Sequence, residues 1–144
     1  MQVFIIGSPL ETAMAMDGDV RRYNKQIIEC QQILDALNGA KAWSNHPCVL
    51  QYRGYEKWLE HYLSCLTLYK HNAYIHAKTC SDLAQMCKPE WHTQEYFDQM
   101  KRRLFEKNEE HYKQWSHLGA SDENWYWSNE LNKFIKYING KRID

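Results

Sequence analysis

Asp19-Val20-Arg21-Arg22-Tyr23-Asn24-Lys25-Gln26-Ile27-Ile28-Glu29-Cys30-Gln31-Gln32-Ile33-Leu34-Asp35-Ala36-Leu37 carries the clearest periodicity of the chain. Its apolar residues Val20, Tyr23, Ile27, Cys30, Leu34 and Leu37 step by threes and fours, which draws one stripe along a helix of 3.6 residues per turn. Asp19 stands where an N-cap belongs, and Asn38-Gly39 follows the last apolar step as a stop. The spacing predicts a long amphipathic helix from Asp19 to about Gly39.

Other helix signals flank it. Ser8-Pro9-Leu10-Glu11 offers a cap, a proline at the first helical position and an acid at the third, so a short helix is expected to end near Asp17-Gly18. Ahead of it, Met1-Gln2-Val3-Phe4-Ile5-Ile6 is apolar but too short for a membrane span and lacks a basic lead, so it is expected to tuck into the fold. Downstream, Pro47 opens a short helix through Tyr52, and Trp58, Leu59, Tyr62, Leu63, Leu66 and Tyr69 form a further stripe. A helix is expected from Tyr74 to Cys87, stopped before Pro89, and another from the Thr93 cap to about Lys107. From Glu109 onward the chain is rich in Trp and Tyr and poorly periodic, which reads as short helices and ordered loops ending at Asn139-Gly140. With no long alternating run, the expected fold is all-α: one compact domain over residues 1–144, its N-terminal segment held against the helices.

The totals narrow the classes. Hydrophobic residues at 44% and charged residues at 25% are a globular balance, which argues against disorder. Eighteen Lys and Arg against eighteen Asp and Glu give no global pull toward nucleic acid or anionic membrane, so any such binding needs a local patch. Five cysteines, odd in number and without a C-x-x-C pair, read as reduced thiols of a cytoplasmic protein. Neither these cysteines nor the seven histidines match a zinc spacing, and no phosphate-cradling glycine loop or nucleophile elbow is present. No metal, cofactor or membrane partner is expected.

Two sets of residues carry possible chemistry. Arg22, Lys25 and Glu29, three and four apart, share a face of the long helix. A carboxylate among cations there suits acid–base work or the stabilisation of a developing cation, although solvated ion pairs on a helix face have the same spacing. Lys101-Arg102-Arg103 lies between Tyr96-Phe97 and Leu104-Phe105, and Lys133, Lys136, Lys141 and Arg142 surround Phe134 and Tyr137. Basic and aromatic side chains so interleaved can track phosphates and stack on bases, and an ordinary charged helix face is the simpler alternative.

The order of these features resembles the small pyrimidine-dimer DNA glycosylases with abasic-site lyase activity, the phage endonuclease V family. The likeness runs through Met1 to Leu10, through Arg21-Arg22-Tyr23-Asn24-Lys25-Gln26-Ile27-Ile28-Glu29, through His46-Pro47-Cys48-Val49-Leu50 to Leu59, and through Phe134-Ile135-Lys136-Tyr137-Ile138-Asn139-Gly140-Lys141. The resemblance implies a compact helical domain with no metal or organic cofactor that acts on damaged double-stranded DNA. It also implies that the N-terminal α-amine attacks the sugar, expels the base as a Schiff base forms, and cuts the strand by elimination. An α-amine suits that task because its class titrates near ~8, well below lysine.

Carried over residue by residue, the resemblance makes Met1, Gln2 and Glu29 the catalytic candidates. Arg21, Arg22, Lys25, Lys136, Tyr137 and Lys141 become DNA-binding candidates by the same resemblance, and Lys101, Arg102 and Arg103 join them from the basic and aromatic cluster described above. Gln2 is large for removal of the initiator Met, so the amine of Met1 is the expected nucleophile, with Lys25 as internal rival. A DNA-binding relative without chemistry and a helical protein-interaction module are the competing readings. The oligomeric state is not readable from sequence.

Overall fold

The structure, a computed structural model, describes residues 1–118 and 122–143. Its first helix, α1 (Pro9–Met16), starts on a full capping box: the Ser8 hydroxyl accepts from the Glu11 N–H, and the Glu11 carboxylate accepts from the Ser8 N–H. Helix α2 (Val20–Leu37) is capped by Asp19, and α3 (Pro47–Tyr52) by His46, whose Nδ1 accepts from the Cys48 N–H at 3.1 Å. Helices α4 (Glu56–Lys70), α5 (Tyr74–Gln85) and α6 (Gln94–Lys107) follow, the last capped by Thr93 as its sequence predicts. A 3-10 turn spans Lys113–Leu118.

The all-α expectation needs one correction. The fold is mostly helical, but the C-terminal part forms an antiparallel sheet, β1 (Glu123–Ser128), β2 (Lys133–Ile138) and β3 (Lys141–Ile143), in the order β1-β2-β3. Two local reasons account for it. Trp125, Tyr126, Trp127, Phe134, Ile135 and Tyr137 are β-formers that pair across β1 and β2, with Trp127 opposite Phe134 and Tyr126 opposite Ile135. Asn139-Gly140, expected to end the element, instead forms the β2–β3 hairpin turn, with φ of 52° and 75°. Two consecutive positive φ values match the right-handed twist of the strands, and Asn-Gly is the pair that adopts them most easily.

The core contains the N-terminal segment itself. Val3, Phe4 and Ile5 are buried among residues of α2, α4 and α6. An extended segment in a core lacks a helical or sheet partner, so its polar groups must find side chains. The Gln26 carboxamide donates to the Gln2 carbonyl at 2.8 Å and accepts from the Phe4 N–H at 2.5 Å. The Tyr62 hydroxyl donates to the Phe4 carbonyl, and Thr12 Oγ1 accepts from the Ile6 N–H at 3.1 Å. Burying three large apolar side chains at roughly 2 kcal/mol each favours this path, provided those four bonds are made.

These demands turn α2 slightly from the face its spacing predicts. Val20 is 66% exposed, whereas Gln26 and Glu29 join Tyr23, Cys30, Ile33 and Leu34 on the buried side.

Candidate active site

The path of the first residues brings main chain to a carboxylate. The Gln2 N–H donates to Glu29 Oε2 at 2.9 Å, and Lys25 Nζ approaches Glu29 Oε1 at 3.8 Å. Glu29 is 6% exposed, so it is no solvated helix-face residue. Lys25 is open to solvent and stands at the edge of the pair.

Around Met1 and Gln2 lies a cleft of about 350 Å3. One wall comes from α3 and the residue that caps it: His46, Cys48 and Gln51. The other comes from α6 and the sheet, with Tyr96, Gln99, Arg103 and Trp125. Cys48 Sγ donates to the Met1 carbonyl at 3.1 Å, and burial pushes its thiol up to about 11, so it remains protonated and serves as a donor. Arg103 Nη1 donates to Gln2 Oε1 at 3.4 Å, and its guanidinium lies 5.9 Å from the Tyr126 ring centre.

Gln99 makes a two-point attachment between α6 and the sheet. Gln99 Nε2 donates to the Trp125 carbonyl at 2.9 Å, while Gln99 Oε1 accepts from the Trp125 N–H at 2.6 Å. A second cleft of about 620 Å3 continues from the one around Met1 and Gln2, sharing Gln51, Trp127 and Phe134 with it. The buried indole N–H groups of Trp91, Trp125 and Trp127 have no hydrogen-bond partner among the described residues. The aromatic wall therefore combines flat apolar surface with unused donors.

The basic candidates separate into groups. Arg22 lies against the N-terminal segment, 5.1 Å from the Phe4 ring centre, and Lys25 stands beside Glu29. Arg21 is exposed on the same helix. Of the 101–103 cluster, Arg103 reaches the cleft. Arg102 donates to the Glu123 carbonyl at 3.2 Å, and Lys101 pairs with Asp98 at 3.9 Å and packs over Trp115. Lys136 pairs with Glu123 at 3.0 Å and lies over Trp125, Tyr137 packs edge-on against Tyr126, and Lys141 is exposed on β3. The triplet that sequence treats as one patch thus divides among three neighbourhoods.

Sequence reasoning missed Gln26, His46, Cys48, Gln99 and Trp125. Gln26 gave a faint signal, a polar residue three places after Tyr23 and four before Cys30 on the core stripe. His46 and Cys48 stand in a stretch that carries the family likeness, with no role attached to either, and Gln99 and Trp125 gave no signal because they meet across 26 residues of sequence. Among the described residues, no group of three or more His, Cys, Asp and Glu is placed to hold a metal ion, and no helix is long and apolar enough to cross a membrane.

Residues 1–68 match the family model described as pyrimidine dimer DNA glycosylase. That match takes in the N-terminal segment, α1 to α3 and most of α4, and so both Gln2 and Glu29. No curated protein and no solved structure matches the chain.

Proposed function

We propose, from the family match of the first 68 residues, that the protein is a DNA repair glycosylase with abasic-site lyase activity on pyrimidine dimers or related base damage. The observation that carries the reading is the placement of the chain's first residues beside a buried carboxylate in an open cleft. A primary amine there can attack C1′ of a damaged nucleotide. The new C–N bond forms as the bond to the base breaks, and the base leaves with a proton. The sugar ring opens to a Schiff base, whose cationic nitrogen makes the C2′ proton acidic. Loss of that proton expels the 3′ phosphate and cuts the strand.

In this reading Glu29 faces the cationic intermediates and relays the protons, a role that needs a carboxylate fixed in place. The Gln2 bond and burial within α2 provide that fixation. Arg21, Arg22 and Lys25 on the α2 side and Arg103 on the α6 side are the phosphate contacts, with Lys136, Tyr137 and Lys141 extending the track along the sheet. Bases at a damaged step are poorly stacked and cost less to displace, which supplies part of the selectivity.

The test is borohydride trapping of the untagged protein on abasic-site DNA, followed by peptide mapping. The adduct is expected on the mature terminal residue: Met1 if it is retained, as the size of Gln2 implies, and Gln2 if it is removed. An acetylated terminus should abolish trapping while leaving duplex binding intact. An adduct on Lys25 would replace the α-amine mechanism with a lysine one. No adduct from a free terminus would end the lyase assignment.

A further inference from the structure

His46 has two tasks that its two ring nitrogens separate. Nδ1 accepts the Cys48 N–H at 3.1 Å and so caps α3. A nitrogen that accepts a backbone N–H carries no proton, so the ring proton of neutral His46 belongs on Nε2. The ring is also one wall of the cleft that holds Met1 and Gln2, and the edge contact to Trp43, 5.8 Å between ring centres, fixes its plane.

Its surroundings favour the neutral form. Burial lowers the His46 pKa first and the chain's α-ammonium second, while the Glu29 carboxylate opposes them. The Cys48 N–H at Nδ1 acts in the same direction, since it bonds only the form without a proton there. A neutral imidazole with one nitrogen held by a helix start is a donor that does not deliver its proton outright, which suits an oxygen gaining partial charge.

Resting on the glycosylase–lyase reading above, we propose that His46 is a further substrate-contacting residue, donating Nε2–H to the C1′ oxygen of the opened abasic sugar. As the amine bonds to C1′, the carbonyl electron pair moves onto that oxygen, which takes the hydrogen bond. The oxygen then gains two protons, one released by the new ammonium and relayed by Glu29 or solvent and a second taken from solvent, and leaves as water as the iminium forms.

Two substitutions divide the cap from the donor. His46→Ser retains a good N-cap but is too short to reach the cleft. His46→Gln places an amide N–H at about the reach of Nε2. With thermal unfolding showing both variants folded, single-turnover cleavage of abasic DNA should fall about 100-fold in His46→Ser, the usual effect of losing one such donor, and recover at least about tenfold in His46→Gln. The direct readout is the Nε2 nitrogen and proton resonances of His46 on binding duplex with a borohydride-reduced abasic site, which keeps a C1′ hydroxyl and cannot form a Schiff base. They should move downfield and exchange more slowly. Wild-type cleavage by His46→Ser, or resonances unmoved by bound DNA, would reduce His46 to a helix cap while leaving the lyase reading intact. Failure of the wild-type protein to trap on abasic DNA would instead remove that reading, and this proposal with it.

Discussion

The main-chain nitrogen of Gln2 and the carboxylate of Glu29 meet at 2.9 Å across 27 residues of sequence. The contact joins the start of the chain to the middle of its longest helix. Glu29→Gln tests what the charge adds, because the amide can still accept the Gln2 N–H. The variant should fold with wild-type cooperativity and bind duplex at least as well, since a negative charge repels phosphate. Strand cleavage should fall by about 100-fold or more, the scale of a lost acid–base group. Gel-based cleavage of abasic duplex beside a binding titration checks both halves.

Duplex affinity should fall steeply with salt, because bound cations release counterions from DNA. The double variant Arg22→Gln, Lys25→Gln should lower the slope of log affinity against log salt by roughly two, about one for each phosphate contact. An unchanged slope would place the DNA track away from α2. The measurement is fluorescence anisotropy over a salt series.

Gln26 should matter far more than its surface-type chemistry suggests. Gln26→Leu keeps the volume but leaves the Gln2 carbonyl and the Phe4 N–H without their partner. One or both then stay buried and unsatisfied, at a cost of about 2–4 kcal/mol. Urea unfolding measures the loss. A drop in cleavage larger than the unfolded fraction accounts for would show that the same bonds aim the N-terminus.

His92 predicts an acid limb in stability. It is 4% exposed, hydrogen-bonded to the Tyr52 hydroxyl at 3.1 Å and stacked on Tyr96, and burial, aided by the Lys88 charge, lowers its pKa to about 3. The unfolded chain protonates this ring near ~6.5, so below that pH the unfolded state binds a proton that the folded state refuses. The stabilisation from a neutral His92 is complete above that value and declines as pH falls toward about 3. Its slope reaches at most about 1.4 kcal/mol per pH unit. His92→Gln should be less stable at pH 7 yet show a shallower decline between pH 6.5 and 4 in denaturant titrations.

The helical half of the fold was legible because its signals are local. Ser8-Pro9-Leu10-Glu11, Asp19, Pro47 and Thr93 each mark a helix start within four residues of sequence, and the structure starts helices there. The sheet was not legible because its alternation is masked: Trp125, Tyr126 and Trp127 are all aromatic, so no period of two appears. Asn139-Gly140 was visible, but the β3 strand that would have identified it as a hairpin turn is only three residues long. Within the site, Glu29 was marked by its spacing from Arg22 and Lys25. Its burial was not, since that depends on where Val3 to Ile5 run. Arg103 looked like one member of a uniform basic triplet until the packing of α6 separated it from Lys101 and Arg102.

The N-terminal segment is made first and secured late. Its Phe4 carbonyl waits for the hydroxyl of Tyr62, 58 residues further on, and the Gln2 carboxamide oxygen waits for Arg103, 101 residues on. A segment held by side chains so far along the chain cannot take its final path until α4 and α6 have packed against α2, so its docking is a late, non-local event of folding rather than a local one.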